Sequence, residues 1–313
     1  MSRPVVWSLY ALLVVIWSST WVAIKLGLED TPPLLGAGVR FAVAGLGLLV
    51  LARLRGRSLR TDRLLAAVLA AMPFAAAYGL IYWGEQYIPS GLTAVLFGVM
   101  PIYVALIAAL ALEDEPLRAR LLIGVGIALC GLIVAFSESL ALGHTDLAVA
   151  GAAACVVAPL ASAIGNVSIK RRASGVDALV LNGWGMLGGG ALLLAASAPT
   201  EDWASAAWTA EALGSIAYLS VLGSAFAFVT LTVLITELTA VTTSFIALLL
   251  PFGALVFGAA LYGEALTLPA VAGAALVAAG LAVAQWPAAR RRAAPAHGRG
   301  SLRAEVAQQH ETP

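Results

Sequence analysis

Few side chains that could do chemistry fall inside the long apolar runs of this chain. Arg40 is the deepest formal charge. It lies in an apolar run that starts just after Pro33, and at about 1.5 Å per residue that places it roughly 10 Å along a helix. An arginine within a bilayer costs about 2.5 to 3.5 kcal/mol on insertion scales, so it is kept for function or for pairing. Two uses are open: a guanidinium facing a cavity, holding a carboxylate or another polar group of a solute, or a structural arginine satisfied by neighbouring carbonyls or snorkelling outward. Lys25 shares a helical face with Trp17 and Trp21 (i, i+4, i+8), and Thr20 is adjacent to Trp21. The lysine can reach headgroups or Glu29. Tryptophan at mid-span is atypical of lipid-facing helices, so Trp17 fits a cavity wall and Trp21 either environment. Tyr78, Tyr82 and Glu85 fall at i, i+4 and i+7, forming an outer aromatic belt capped by an exposed carboxylate or the mouth of a cavity. Ser162 and Asn166 (i, i+4), and Asn182 with Trp184, complete the candidate substrate-binding set. Their bland alternative is interhelical hydrogen bonding, about 0.6 kcal/mol each.

What is missing narrows the chemistry further. All 17 carboxylates fall in loops or near the ends of apolar runs, whereas exchange of protons for cationic solutes calls for a buried acid. That coupling is therefore not expected, and a neutral, zwitterionic or anionic substrate fits Arg40 better than a lipophilic cation. His144, His297 and His310 lie in a loop and the C-terminal tail, which leaves no catalytic set, metal cluster or cofactor site. An intramembrane enzyme is disfavoured accordingly. Cys130 and Cys155 lie in apolar runs without metal-ligand spacing and read as small buried hydrophobes. A net charge of +1 argues against a nucleic-acid partner.

The elements holding these residues follow from composition. Of 313 residues, 61% are hydrophobic and 11% charged, against about 25% charged in soluble domains. Such a chain cannot coat a surface in water, and its partner is the lipid bilayer. A span needs roughly 20 apolar residues, and ten runs of that order are found: 5–26, 34–52, 64–84, 91–112, 117–137, 147–169, 178–197, 213–235, 239–262 and 268–286. The first is too long for a signal-peptide core. The eighth and ninth are separated only by Thr236, Glu237 and Leu238, where a tight turn is required. Residues 287–313 change to a polar composition that predicts a disordered tail. With the N-terminus in the cytoplasm, 16 of 18 Lys and Arg residues fall on cytoplasmic loops; Lys25 and Arg40 are within spans and the outer loops hold none. This is the positive-inside pattern, with both termini cytoplasmic.

The sequence also repeats. Residues 115–135 aligned on 264–284, at an offset of 149, share seven of 21 positions, including Glu115 with Glu264, Gly124 with Gly273 and Gly131 with Gly280; Pro101 matches Pro251 at an offset of 150. Two copies of five spans, 5–137 and 147–286, must run through the membrane in opposite senses. Inverted halves that can pack in two nearly equivalent ways are the basis of alternating access. The expected fold is all-α and integral to the membrane, with ten transmembrane helices as two inverted five-helix repeats.

WSSTWVAIK in the first run, VRF in the second, SGLTAVLFGVMPIYVALIAALALEDEPL across the fourth and IALLLPFGALVFGAALYGEAL across the ninth resemble the signature of EamA-type proteins of the drug/metabolite transporter superfamily. The resemblance covers roughly residues 8–286. It implies a ten-helix inner-membrane permease, commonly an exporter of amino acids or other small metabolites. The expected activity is secondary transport of a small polar or amphipathic solute by alternating access. The alternatives are a multidrug efflux permease and, further off, a channel. Nothing in the sequence sets an oligomeric state.

Overall fold

Inside hydrocarbon no water is available to main-chain N–H and C=O groups, so each apolar run must satisfy its own backbone and becomes helical. The computed structural model describes residues 1–135, 145–253 and 267–285. Helical runs are α1 (Arg3–Asp30), α2 (Pro33–Leu54), α3 (Arg63–Glu85), α4 (Ser90–Ala111), α5 (Ala119–Ala135), α6 (Asp146–Arg172), α7 (Ala178–Thr200), α8 (Ala210–Glu237), α9 (Ala240–Gly253) and α10 (Leu268–Gln285). There is no strand among the described residues. By length and composition seven of these can cross a membrane, whereas α5 and α9 are shorter apolar helices, as is the core of α10. The protein is a multi-pass membrane protein. Glu264, the three histidines and residues 287–313 lie outside the described residues.

Local chemistry sets the helix starts. Asp62, Thr145, Asp177, Thr209 and Thr239 each accept a hydrogen bond from a first-turn N–H of the helix that follows, the usual way to satisfy these donors. The tight turn expected near Thr236–Leu238 is present: α8 stops at Glu237 and α9 begins at Ala240 under its Thr239 cap.

Two helix pairs pack with their backbones almost touching. Along α2 and α7, a Cβ on Gly38 would meet Leu194 and one on Gly190 would lie 2.8 Å from Gly38 O, while one on Gly45 would lie 2.7 Å from Gly183 O. Along α5 and α10, a Cβ on Gly124 would lie 2.5 Å from Gly280 O, and one on Gly131 2.7 Å from Gly273 O. In both pairs the contacting number rises on one helix as it falls on the other, so the partners are antiparallel. Only glycine permits such close approach. Elsewhere α1 packs on α8, α3 on α6, and α4 on both α6 and α9.

Two helices widen into π-turns, Ala70–Ala77 in α3 and Leu219–Phe226 in α8. Their starts and ends both differ by 149, the offset of the sequence repeat. In α3, Pro73 lies within the π-turn; without an N–H it cannot continue the regular ladder.

Candidate functional site

Among α1, α3, α4, α6, α8 and α9 lies a cavity of about 50 Å³. At roughly 10–15 Å³ of such volume per water, it holds a few waters and no organic solute. Its wall comes from α1 (Trp17, Thr20, Trp21, Ile24), α3 (Pro73, Tyr78, Ile81), α4 (Phe97, Met100), α6 (Ser162, Asn166), α8 (Phe228, Leu231) and α9 (Thr243, Ser244, Ile246, Ala247, Leu250). The pairs α2–α7 and α5–α10 supply none of these residues. No formally charged side chain lines the cavity among the described residues.

Five of the lining residues are aromatic: Trp17, Trp21, Tyr78, Phe97 and Phe228. Trp17 and Phe228 meet edge-on at 5.2 Å, as do Trp21 and Phe97 at 5.6 Å and Tyr78 and Phe228 at 6.0 Å, the geometry favoured by ring quadrupoles. Polar capacity is sparse. Thr20 Oγ1 donates to Trp17 O at 2.8 Å, and Thr243 and Ser244 hydroxyls donate to main-chain carbonyls of their own segment. Trp21 Nε1–H is buried without an acceptor. Asn166 is buried, and its side chain makes no hydrogen bond among the described residues. These two residues therefore offer donors and an acceptor to whatever enters.

Of the eleven candidates from the sequence, Trp17, Thr20, Trp21, Tyr78, Ser162 and Asn166 line the cavity. The other five do not. Arg40 is fully buried but lies behind the wall, with its guanidinium carbon 4.8 Å from the Tyr78 ring centroid and 5.0 Å from that of Phe41. Its Nε donates to Ser224 Oγ at 2.8 Å, Nη1 to Tyr82 Oη at 3.2 Å and Nη2 to Gly223 O at 3.4 Å. The guanidinium thus donates to groups of α3 and α8. Tyr82 is its partner rather than a wall residue. Lys25 Nζ donates to the main-chain O of Glu85 at 2.6 Å. Asn182 Nδ2 bridges Ala178 O and Thr232 Oγ1, joining α7 to α8. Trp184 is 41% exposed, its Nε1 donating to Leu59 O, in a separate groove beside Arg60 and Arg63.

Two features were hidden from the sequence. The first is the π-turn of α8: Gly223 O accepts from Trp17 Nε1 at 3.1 Å as well as from Arg40, and Ser220 Oγ donates to Arg40 O. The Gly223–Ser224 pair within an apolar run was the available signal. The second corrects an expectation. Glu85 is not an exposed cap on an aromatic belt but is fully buried, with neither carboxylate oxygen hydrogen-bonded. Beside it a Cβ on Gly84 would come within 2.7 Å of Gly151 O, so α6 lies directly over the end of α3. Glycines at 84 and 151 were the sign of that close cover.

Contacts tie the helices before residue 136 to those after residue 144 at both ends. On the face carrying the loop arginines, Arg57 pairs with Asp177 at 2.6 Å and Arg172 with Asp62 at 2.8 Å, and Glu115 accepts from Ala240 N and Val241 N. Hydrogen bonds from the Leu65 N–H and from Arg172 hold the Asp62 carboxyl below its usual range. Partial burial pushes Asp177 upward, but hydrogen bonds from Arg57 and the Leu179 N–H more than offset it, leaving a lowered value. On the far face, Glu201 accepts from Leu34 N and Leu35 N, Thr209 Oγ1 donates to Asp30 and Ser215 Oγ to Ala23 O.

Comparison with known proteins agrees with this architecture. A family model described as the EamA-like transporter family matches residues 5–137 and again residues 149–285. The uncharacterized transporter YoaV of Bacillus subtilis is 31% identical over 217 residues, 68% of this chain and 74% of that protein. The uncharacterized inner membrane transporter YedA of Escherichia coli K12 is 30% identical over 228 residues, 72% of each chain. A solved crystal structure superposes with a TM-score of 0.76, covering 91% of this chain and 97% of the other at 18% identity, which shows a shared fold. With its membrane-length helices and its two matched segments, this chain is a membrane transporter belonging to the EamA-like transporter family.

Proposed function

We propose that the protein is a secondary transporter in which two inverted five-helix halves, ten spans in all, rock about the central cavity and carry a small amphipathic metabolite of amino-acid size. The single observation that carries this reading is the pairing of the glycine crossings. Gly124 contacts Gly280 and Gly131 contacts Gly273, while at the repeat offset of 149 Gly124 corresponds to Gly273 and Gly131 to Gly280. Each glycine therefore touches the counterpart of its own neighbour, the self-complementary pattern that a two-fold axis generates. Along α2 and α7 the same holds at an offset of 145. The matching π-turns and the wall drawn from α1, α3, α4 and from α6, α8, α9 support the same axis.

The neutral wall favours a solute without net charge, its apolar body against the aromatic rings and its polar end at Trp21 and Asn166. Trp17, Thr20, Tyr78 and Ser162 complete this proposed site, and Arg40 acts on it from behind through Tyr78 and Gly223. Loading requires the cavity to widen, which the rocking supplies. The family resemblance implies export across an inner membrane, with the arginine-rich face in the cytoplasm. Counterflow in proteoliposomes, against a panel of amino acids, nucleobases and organic acids, tests the reading without an assumed driving force: saturable exchange of a neutral amphipathic solute supports it. Ohmic current would indicate a pore, and exchange confined to lipophilic cations a multidrug efflux permease. For orientation, a reporter fused after Asp202 is expected to be active only outside the cytoplasm and one at Gly56 only within it.

A further inference from the structure

Glu85 is the one carboxylate that the structure buries completely without a hydrogen-bond donor, among the described residues. We infer that, within the transport cycle proposed above, Glu85 is a proton-binding site: it is protonated in the conformation described and gives its proton to water when the far face opens around the ends of α1 and α3.

The geometry carries this in three steps. First, burying an ionised carboxylate without donors is the costliest way to place the group, and a neutral acid removes most of that cost. The nearby cations do not supply the missing donors. Lys25 Nζ is turned to the main-chain O of Glu85 and forms no ion pair with its carboxylate. All three nitrogens of Arg40 donate elsewhere. The charged or titratable groups facing Glu85 are then Lys25 from α1, Arg40 from α2, Tyr82 from its own helix and Cys155 from α6; α4 brings none.

Second, the group is one step from water. Glu85 is the last residue of α3, and Gln86 is exposed. Its cover is the close contact of Gly84 with α6 and the reach of Lys25 from α1, so a small separation of these ends admits solvent. The proton leaves the carboxyl O–H for a water of that compartment and is regained by the reverse transfer. Once ionised, the carboxylate has the Lys25 amine beside it as its natural partner.

Third, the site is wired to the cavity. Tyr82 and Tyr78 follow Glu85 along one face of α3. Tyr82 Oη accepts from Arg40, whose guanidinium stacks on cavity-lining Tyr78 and shares Gly223 O with cavity-lining Trp17. A charge appearing at Glu85 therefore acts on the guanidinium that holds two wall residues in place.

Two readouts on the full-length protein test this. In infrared spectra of the purified protein at neutral pH, the wild type is expected to show the C=O band of a protonated carboxylic acid, shifted in D2O. Glu85→Gln should lose it and Glu85→Asp should keep it at a displaced position. Spectra identical for wild type and Glu85→Gln would overturn the assignment. In proteoliposomes, using the solute found by counterflow, Glu85→Gln is expected to lose accumulation driven by an imposed pH gradient, from at least tenfold to none, while gradient-free exchange persists and no longer varies with pH. Undiminished gradient-driven accumulation by Glu85→Gln would overturn it too. If no panel solute exchanges, the transport reading fails, and the infrared band still decides for or against a protonated Glu85.

Discussion

Trp21 and Arg40 are both buried and polar, yet they predict opposite phenotypes. Trp21 Nε1–H has no acceptor among the described residues, so at the proposed site Trp21→Phe removes a donor left for the solute. Its expected cost is that of one hydrogen bond, about 1 kcal/mol or roughly fivefold in apparent affinity, with the thermal midpoint unchanged. Arg40→Ala strips Ser224 and Tyr82 of their partner at once and leaves Gly223 O to Trp17 alone. Unsatisfied buried groups cost about 1–3 kcal/mol each, so this variant is expected to lose stability on the order of 3 kcal/mol together with transport. Arg40→Lys should recover little, because an ammonium cannot reproduce a three-pointed fork over an aromatic ring. Thermal unfolding in detergent beside counterflow separates the two classes. At this scale the sequence was half informative. Spacing put Trp17, Trp21 and Lys25 on one helical face with Thr20 beside Trp21; the tryptophans and Thr20 share the cavity wall, whereas Lys25 turns to Glu85 O. Depth within a span says that Arg40 is buried but not which way it turns, since that depends on Ser224 and Gly223, nearly 200 residues away in the chain.

Elements were the most legible level. Hydrophobic run length located the helices, and the narrow gap at Thr236–Leu238 located the turn between α8 and α9. Periodicity could not show the π-turns, because one extra residue in a uniformly apolar helix leaves the pattern unchanged; Pro73 hinted at the first, and the second has no proline. Glycines gave the missing signal, since at a crossing it is their lack of a side chain that matters. A Cβ on Gly45 would lie 2.5 Å from Leu187 N, and one on Gly280 2.4 Å from Gly124 O. Gly45→Val and Gly280→Val must therefore push whole helices apart, and overpacking of this kind costs about 1–3 kcal/mol. Gly47, against which nothing packs, is the control: Gly47→Val is expected to be neutral. Yield and the thermal midpoint after extraction are the measurements.

For the whole molecule, the two faces close with different chemistry. The loop-arginine face relies on the Arg57–Asp177 and Arg172–Asp62 pairs, whereas Glu201 on the far face accepts main-chain N–H groups. Because both aspartates are lowered in the folded protein, their contribution is complete above about pH 3.9, the ordinary aspartate value, and is lost as the pH falls through the depressed folded values. Exposed pairs of this kind contribute little to stability and are weakened by salt. The expected effect is on the balance between conformations: acidification below pH 4, or Asp62→Asn with Asp177→Asn, opens this face to a water-soluble thiol reagent directed at a cysteine placed at Ala173, and high salt does so partially. At this scale the sequence offered only the repeat, on which the proposed two-fold axis rests.

The reciprocal glycines have a consequence for how such a chain can change over generations. On the two-copy reading proposed above, each one keeps space for a counterpart in the other copy, so neither half is free to drift alone at these positions. A bulky residue gained in one copy at a crossing meets backbone belonging to its twin, and no side-chain rotation there can relieve the clash. On the proposed two-copy reading, the halves are thus bound to a common history at a few points of contact, while nothing at these crossings restrains their loops or the cavity wall.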